Sequence, residues 1–359
     1  MKLRTLVIAV AFLAVFSLLV FWKSRPVVKA PADPRIGQAV LPADVVNQAA
    51  GLVVSDQGKQ VELAKGADGA WRVVSYYRLP ADFSKVSQLV QDLNESKVDR
   101  FVTSSPDRLG HLEFKDSFLE LKDAAGKVLW QVTMGKTPES GNGRFIRFGD
   151  EPKAYFSGMH VWLDTDAKGW ADAALPIAKA DEIAKVEIPL PTGAVTASRT
   201  KAGQPWTAAA PAGEKLDSDK VTTLVRSLTG LRFSDTVAKT DPVAAEAAKH
   251  NLTYTLTTFG GQTITVALGR KPEVKKLKAP VADAAPIPKT ADGKPDIKPI
   301  EPEYDVTPAG PVVAAVASSD PKAPVNALMQ ARAFEVDDFT YTALPQKADD
   351  LFVKAPAAK

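Results

Sequence analysis

The stretch Asp82-Phe83-Ser84-Lys85-Val86-Ser87-Gln88-Leu89-Val90-Gln91-Asp92-Leu93 returns 135 residues later as Asp217-Ser218-Asp219-Lys220-Val221-Thr222-Thr223-Leu224-Val225-Arg226-Ser227-Leu228. A shared amphipathic period would explain the Val and Leu matches. It does not explain why Asp82 falls on Asp217 and Lys85 on Lys220 in the same register. That offset also sets Gly58 on Gly193 and Trp71 on Trp206, while an offset of 134 sets Gly126 on Gly260 and Gly135 on Gly269. Two copies of one module are therefore expected, roughly 130 residues each.

Each repeated stretch reads as a helix with a defined start. Asp82 and Asp217 are suited to accept hydrogen bonds from the free amides of a first turn. Phe83, Val86, Leu89, Val90 and Leu93 form one apolar stripe at helical spacing, and Val221, Leu224, Val225 and Leu228 repeat it. Around each helix the pattern alternates with period two. Residues 52–54, 61–63 and 71–76 come before the first helix, and residues 118–121, 128–134, 144–148 and 154–156 follow it. In the second copy the corresponding strands are expected at 186–188, 253–259, 263–269, 304–306 and 312–316, the last two matching 144–148 and 154–156. Many strands with a single principal helix per copy indicate an α+β fold, an antiparallel sheet covered by that helix. Trp71 and Trp206 read as core anchors at the ends of hairpins.

Outward from these modules, the amino terminus carries the strongest local signal. Residues 5–22 hold no charge and are flanked by Lys2, Arg4, Lys23 and Arg25. That length suits a short bilayer span, with Phe21 and Trp22 at the interface. It exceeds the apolar region of a cleavable signal peptide, about 7–15 residues. The expected organisation is a signal anchor at 1–22, an extended linker at 23–45, module one at 46–172 and module two at 180–345, with a flexible tail at 346–359. Residues 271–303, with seven prolines and few large apolar side chains, are expected to lack regular structure.

Composition narrows the chemistry. The 45 basic and 42 acidic residues nearly cancel, so the concentrated cationic face that nucleic-acid binding needs is missing. Without cysteine there are no disulfides, thiolate metal sites or cysteine nucleophiles. His111, His160 and His250 form no metal-binding pair by spacing. His111 and His250 recur just after the helix in each copy, which makes them ligand or proton-transfer candidates or simply polar turn residues. Arg144, with Arg147 and Lys136, is a candidate basic face. Residues 164–169 have the oxygen rhythm of a calcium loop, but its twelfth position is Leu175 instead of a bidentate Glu. Ser198-Arg199-Thr200-Lys201 fits Ser-x-x-Lys but falls on a hairpin, where a serine nucleophile of that type would need a helix start. Gly141-Asn142-Gly143-Arg144 reads as a tight turn. No cofactor and no assembled catalytic constellation are expected.

Taken together, the anchor, the Gly58/Trp71 hairpin, Leu79-Pro80-Ala81-Asp82, Arg108-Leu109-Gly110-His111-Leu112 and Val132-Thr133-Met134-Gly135 resemble the bacterial family known as domain of unknown function 4340. The resemblance implies a single-pass envelope protein, some of whose relatives accompany ABC-type transport proteins similar to a gliding-motility auxiliary component. It supplies no catalytic residues. The expected function is that of a non-enzymatic accessory or scaffold subunit at the bacterial inner membrane. Its bulk would lie in the periplasm, with a membrane permease as partner. The competing expectation is an envelope hydrolase or small-ligand-binding protein that uses His111, His250 and Arg144 in a cleft between the modules.

Overall fold

The computed structural model describes residues 33–139, 141–278 and 303–355. The chain divides into two compact units, with the boundary in sequence between Trp170 and Ala171. The anchor expected at 1–22 lies outside the described residues. Within them, no helix is long and apolar enough to cross a membrane.

In the first unit the strands are β1 (Gly51–Asp56), β2 (Lys59–Lys65), β3 (Trp71–Val73), β4 (Leu79–Pro80), β5 (Arg100–Thr103), β6 (Phe118–Lys122), β7 (Val128–Met134), β8 (Arg144–Phe148) and β9 (Ala154–Ser157). They form one antiparallel sheet in the order β4-β3-β2-β1-β6-β7-β8-β9-β5. Register decides which side chains become core. Leu63, Leu52, Leu121 and Trp130 stand in one cross-strand row, and Val61, Val54, Leu119, Val132 and Phe148 in the next. All nine are buried. The helix Phe83–Glu95 adds Val86, Leu89 and Leu93 to the buried set, whereas Phe83, expected in the same stripe, lies exposed on the first turn and Val90 is half-buried. Asp82 starts it by accepting from the amides of Ser84 at 3.0 Å and Lys85 at 3.3 Å.

The second unit contains β10 (Ile183–Ile188), β11 (Val195–Ser198), β12 (Glu214–Leu216), β13 (Phe233–Val237), β14 (Asn251–Thr258), β15 (Thr263–Gly269), β16 (Val274–Leu277), β17 (Tyr304–Thr307), β18 (Val312–Ser318), β19 (Ala333–Val336) and β20 (Phe352–Lys354). Seven of them make an antiparallel sheet ordered β11-β10-β14-β15-β18-β19-β13. This is the path of β2-β1-β6-β7-β8-β9-β5 in the first unit. The helix Ser218–Thr229 again lies between the opening hairpin and the last-placed edge strand, and it buries Val221, Leu224, Val225 and Leu228. Asp217 caps it through the amides of Asp219 at 3.1 Å and Lys220 at 3.3 Å.

Backbone contacts off the sheets recur in each unit, the first pair at the same spacing. The Val98 amide donates to Gln38 O and the Phe233 amide to Ala173 O, both at 2.9 Å. Asp82 N donates to Trp170 O at 2.8 Å, and Asp217 N to Leu351 O at 2.9 Å. In each case the capping residue is tied to a short 3-10 turn that follows in sequence, Lys168–Trp170 or Ala348–Asp350. A Cβ on Gly135 would strike the Leu112 carbonyl, and one on Gly269 would strike the Ala247 carbonyl. The two glycines therefore share a reason, close approach of the backbone at the C-terminal end of a short helix.

Several expectations need correction. The segment 23–45 is not all linker, because Val40 and Leu41 are fully buried and a helix runs over Ala43–Gln48. Asp33 and Arg35 are likewise fastened, to Lys153 and Glu151. The tail is docked as far as residue 355: Leu351 and Phe352 are buried, and β20 pairs with β12. Residues 271–303 open with a strand, β16, which pairs with β17 as a separate ribbon with every residue exposed. Tyr304–Thr307 is therefore not the counterpart of β8. By sheet order that counterpart is β18, and β19 answers to β9. Alternation marks a strand but not its neighbour, which is why the match slipped. Finally, Trp206 is buried but Trp71 is only half-buried, at the short β3.

Candidate functional site

The residues singled out for chemistry are spread over the fold. His111 lies at the C-terminal end of the helix Pro106–Gly110, exposed, with its amide on Arg108 O at 3.2 Å. His250 follows the helix Pro242–Ala248, also exposed, with its amide on Ala247 O at 3.1 Å. They occupy like positions in their own units and serve as turn residues there. His160 is exposed. Arg144 stands half-buried on β8 opposite Ser157, and no hydrogen bond joins it to His111 among the described residues. Arg147 lies over the Phe114 ring at 5.4 Å, and Arg100 lies over Phe156 at 5.0 Å. Ser198 ends β11 and pairs with Thr207, a strand setting as the sequence predicts. Within the described residues no group of three His, Asp or Glu side chains could hold a metal.

The calcium-like loop is filled from within the chain. Lys85, on the first turn of its helix, places its ammonium against the Asp164 carboxylate, and it donates to Gly169 O at 2.9 Å. It also lies 4.5 Å from the centre of the Trp170 ring. Burial pushes the Asp164 carboxyl up, but the hydrogen bonds from Lys85 and the Asp166 amide outweigh it and hold the group below the usual carboxylate range. The arrangement is a clasp between helix start and loop. Its lysine was visible in sequence as the Lys85/Lys220 match, but its partner, 79 residues away, was not.

A second cation–aromatic motif recurs. Lys65 stands over Trp71 at 5.7 Å and Arg199 over Trp206 at 4.6 Å. Each cation ends the second strand of its opening hairpin or follows it directly. These pairs close the hairpins, and Arg199 also lies over Phe259 at 5.9 Å.

Two open cavities adjoin the principal helices. One, of about 480 Å³, is walled by Trp71, Phe83, Val86, Val90, Leu52 and Leu121 in the first unit. The other, of about 660 Å³, lies beside Asp217, Lys220, Leu224, Leu344 and Leu351 in the second. A third, of about 740 Å³, opens on the other side of the second sheet, over Thr265, Ala267, Ala315 and Ala317. No sequence signal marked it, since alanine and threonine on a strand carry no distinctive pattern.

These features define an α+β protein of antiparallel sheets. The family described as domain of unknown function (DUF4340) matches residues 71–253, just over half of the chain. The chain belongs to that family. The match starts at β3 and ends inside β14, so it takes in both principal helices. No curated protein and no solved structure matches the chain.

Proposed function

We propose that the chain is two tandem copies of one α+β module held at the bacterial inner membrane by a single transmembrane helix at residues 1–22. Its role is that of a non-enzymatic accessory or scaffold subunit of a membrane complex, with an ABC-type transport system as the candidate. The observation that carries this reading is the nature of what recurs. At the shared spacing stand helix caps (Asp82, Asp217), close-approach glycines (Gly135, Gly269) and cation–tryptophan pairs (Lys65/Trp71, Arg199/Trp206). All of them build a framework. A duplicated framework with open sheet faces and edges suits the presentation of surfaces to partners. The uncharged residues 5–22 support the tether, and membership of the family is consistent with it.

Isolating the full-length chain from membranes in mild detergent tests the proposal. A membrane permease is expected at fixed stoichiometry, and it should be lost when residues 1–22 are removed. Recovery of the chain alone, carrying a small molecule, would contradict it.

A further inference from the structure

The outer face of the second sheet is hollow where the same face of the first is filled. In the first sheet Thr133 pairs with Arg147, whose guanidinium covers Phe114, and Phe145 stacks edge-on with Phe156 at 6.0 Å. In the second sheet, Ala267 pairs with Ala315 at the register position of Thr133 and Arg147, and Thr265 pairs with Ala317 beside them. Among the described residues, no side chain larger than valine rises from this floor. It is flanked by the helices Pro242–Ala248 and Pro324–Ala331, which contribute Ala244, Ala248 and Met329 to the walls. The result is an open groove of about 740 Å³.

We infer that this groove docks an amphipathic helix of a partner protein, with large apolar side chains on its buried face and a carboxylate at one end. Geometry favours a helix. Two short helices already cover this face, and a third laid between them would complete the layer. The alanine floor lets its backbone approach closely and leaves room for the incoming Leu or Phe side chains. Charge sets the rest. Among the described residues, the groove is lined by Lys239 and Arg332 and by no carboxylate. Arg332 is held in place by Thr236, through Oγ1 at 2.8 Å and O at 3.1 Å. Lys239 is exposed at the rim, where it is free to meet an acidic side chain. Three or four apolar anchors at i, i+3, i+4 and i+7 are the usual content of such a contact.

This inference names a surface for the partner of the accessory subunit and rests on that reading, but the two fail separately. The test uses the purified chain and labelled synthetic peptides, with no membrane or native complex. The probe is a peptide of about five helical turns with leucines at i, i+3, i+4 and i+7 and glutamates flanking them. Controls are a scrambled version and one with lysines replacing the glutamates. Saturable binding of the first peptide alone is expected. Ala267→Trp and Ala315→Trp should each weaken it about tenfold or more, with the thermal midpoint of the chain retained. Lys239→Glu, at an exposed position, should weaken the acidic peptide and strengthen the lysine one. Equal binding of all three peptides, binding untouched by these variants, or no binding would overturn the inference. So would selective binding of dodecanoate in place of the peptide, which would assign the groove to an acyl chain.

Discussion

The ammonium of Lys85 rests against the Asp164 carboxylate, in the loop whose alternating oxygens read as a cation site. The cation is part of the chain. Replacing Lys85 by Met should cost about 1–2 kcal/mol, the range for a hydrogen bond to a charged group that is partly solvated. Added calcium should not restore the loss. Chemical denaturation of the two proteins measures both points.

The same contact sets a pH dependence. The folded-state pKa of Asp164 lies below its ordinary value of 3.8, so its contribution to stability is complete above about pH 4 and fades as the pH falls through the depressed value. In wild type this steepens the acid limb of the stability curve. Lys85→Met should flatten that limb. An unchanged acid slope would show that the contact contributes nothing.

Gly135→Ala and Gly269→Ala should each destabilise by about 2–3 kcal/mol or more, because the added methyl meets backbone that cannot swing aside. Gly126→Ala is the contrast. Its φ of +82° strains an L-residue but its Cβ would meet nothing, so about 1–2 kcal/mol is expected. Similar costs at all three sites would mean that crowding is not what selects glycine at 135 and 269.

Tyr254 is fully buried on β14, and its hydroxyl finds no hydrogen-bond partner among the described residues. Burial pushes its pKa well up. Tyr254→Phe should therefore be neutral or stabilising, by up to about 1 kcal/mol, whereas Leu224→Ala, at another buried position, should cost about 2–5 kcal/mol. Urea unfolding of both variants checks the pair. A clear loss on Tyr254→Phe would reveal a partner for the hydroxyl.

What could be read from sequence follows from the range of the forces involved. The two helices, their Asp caps and their buried stripes were legible because caps and periodicity are local. The turn Asp123–Gly126 was legible for the same reason. Its counterpart, however, uses Gly261 at φ +81°, one residue beyond the aligned Gly260, because side-by-side identity does not report backbone conformation. Val40, Leu41, Leu351 and Phe352 were assigned to tether and tail, since their surroundings are rich in Pro, Ala and charge and only tertiary contact buries them. The Lys85–Asp164 clasp and the alanine groove depend on register between distant strands and loops. Neither leaves a local mark.

The most direct measurement of the central claim is a crystal structure of residues 33–355, superposed on itself with residues 38–170 laid over 173–351. The account expects Asp82 on Asp217, Trp71 on Trp206, Leu89 on Leu224 and Gly135 on Gly269, with β19 falling on β9. Two units whose principal helices cross unrelated strand orders, or whose paired glycines stand in different surroundings, would contradict the duplication from which the functional reading is built.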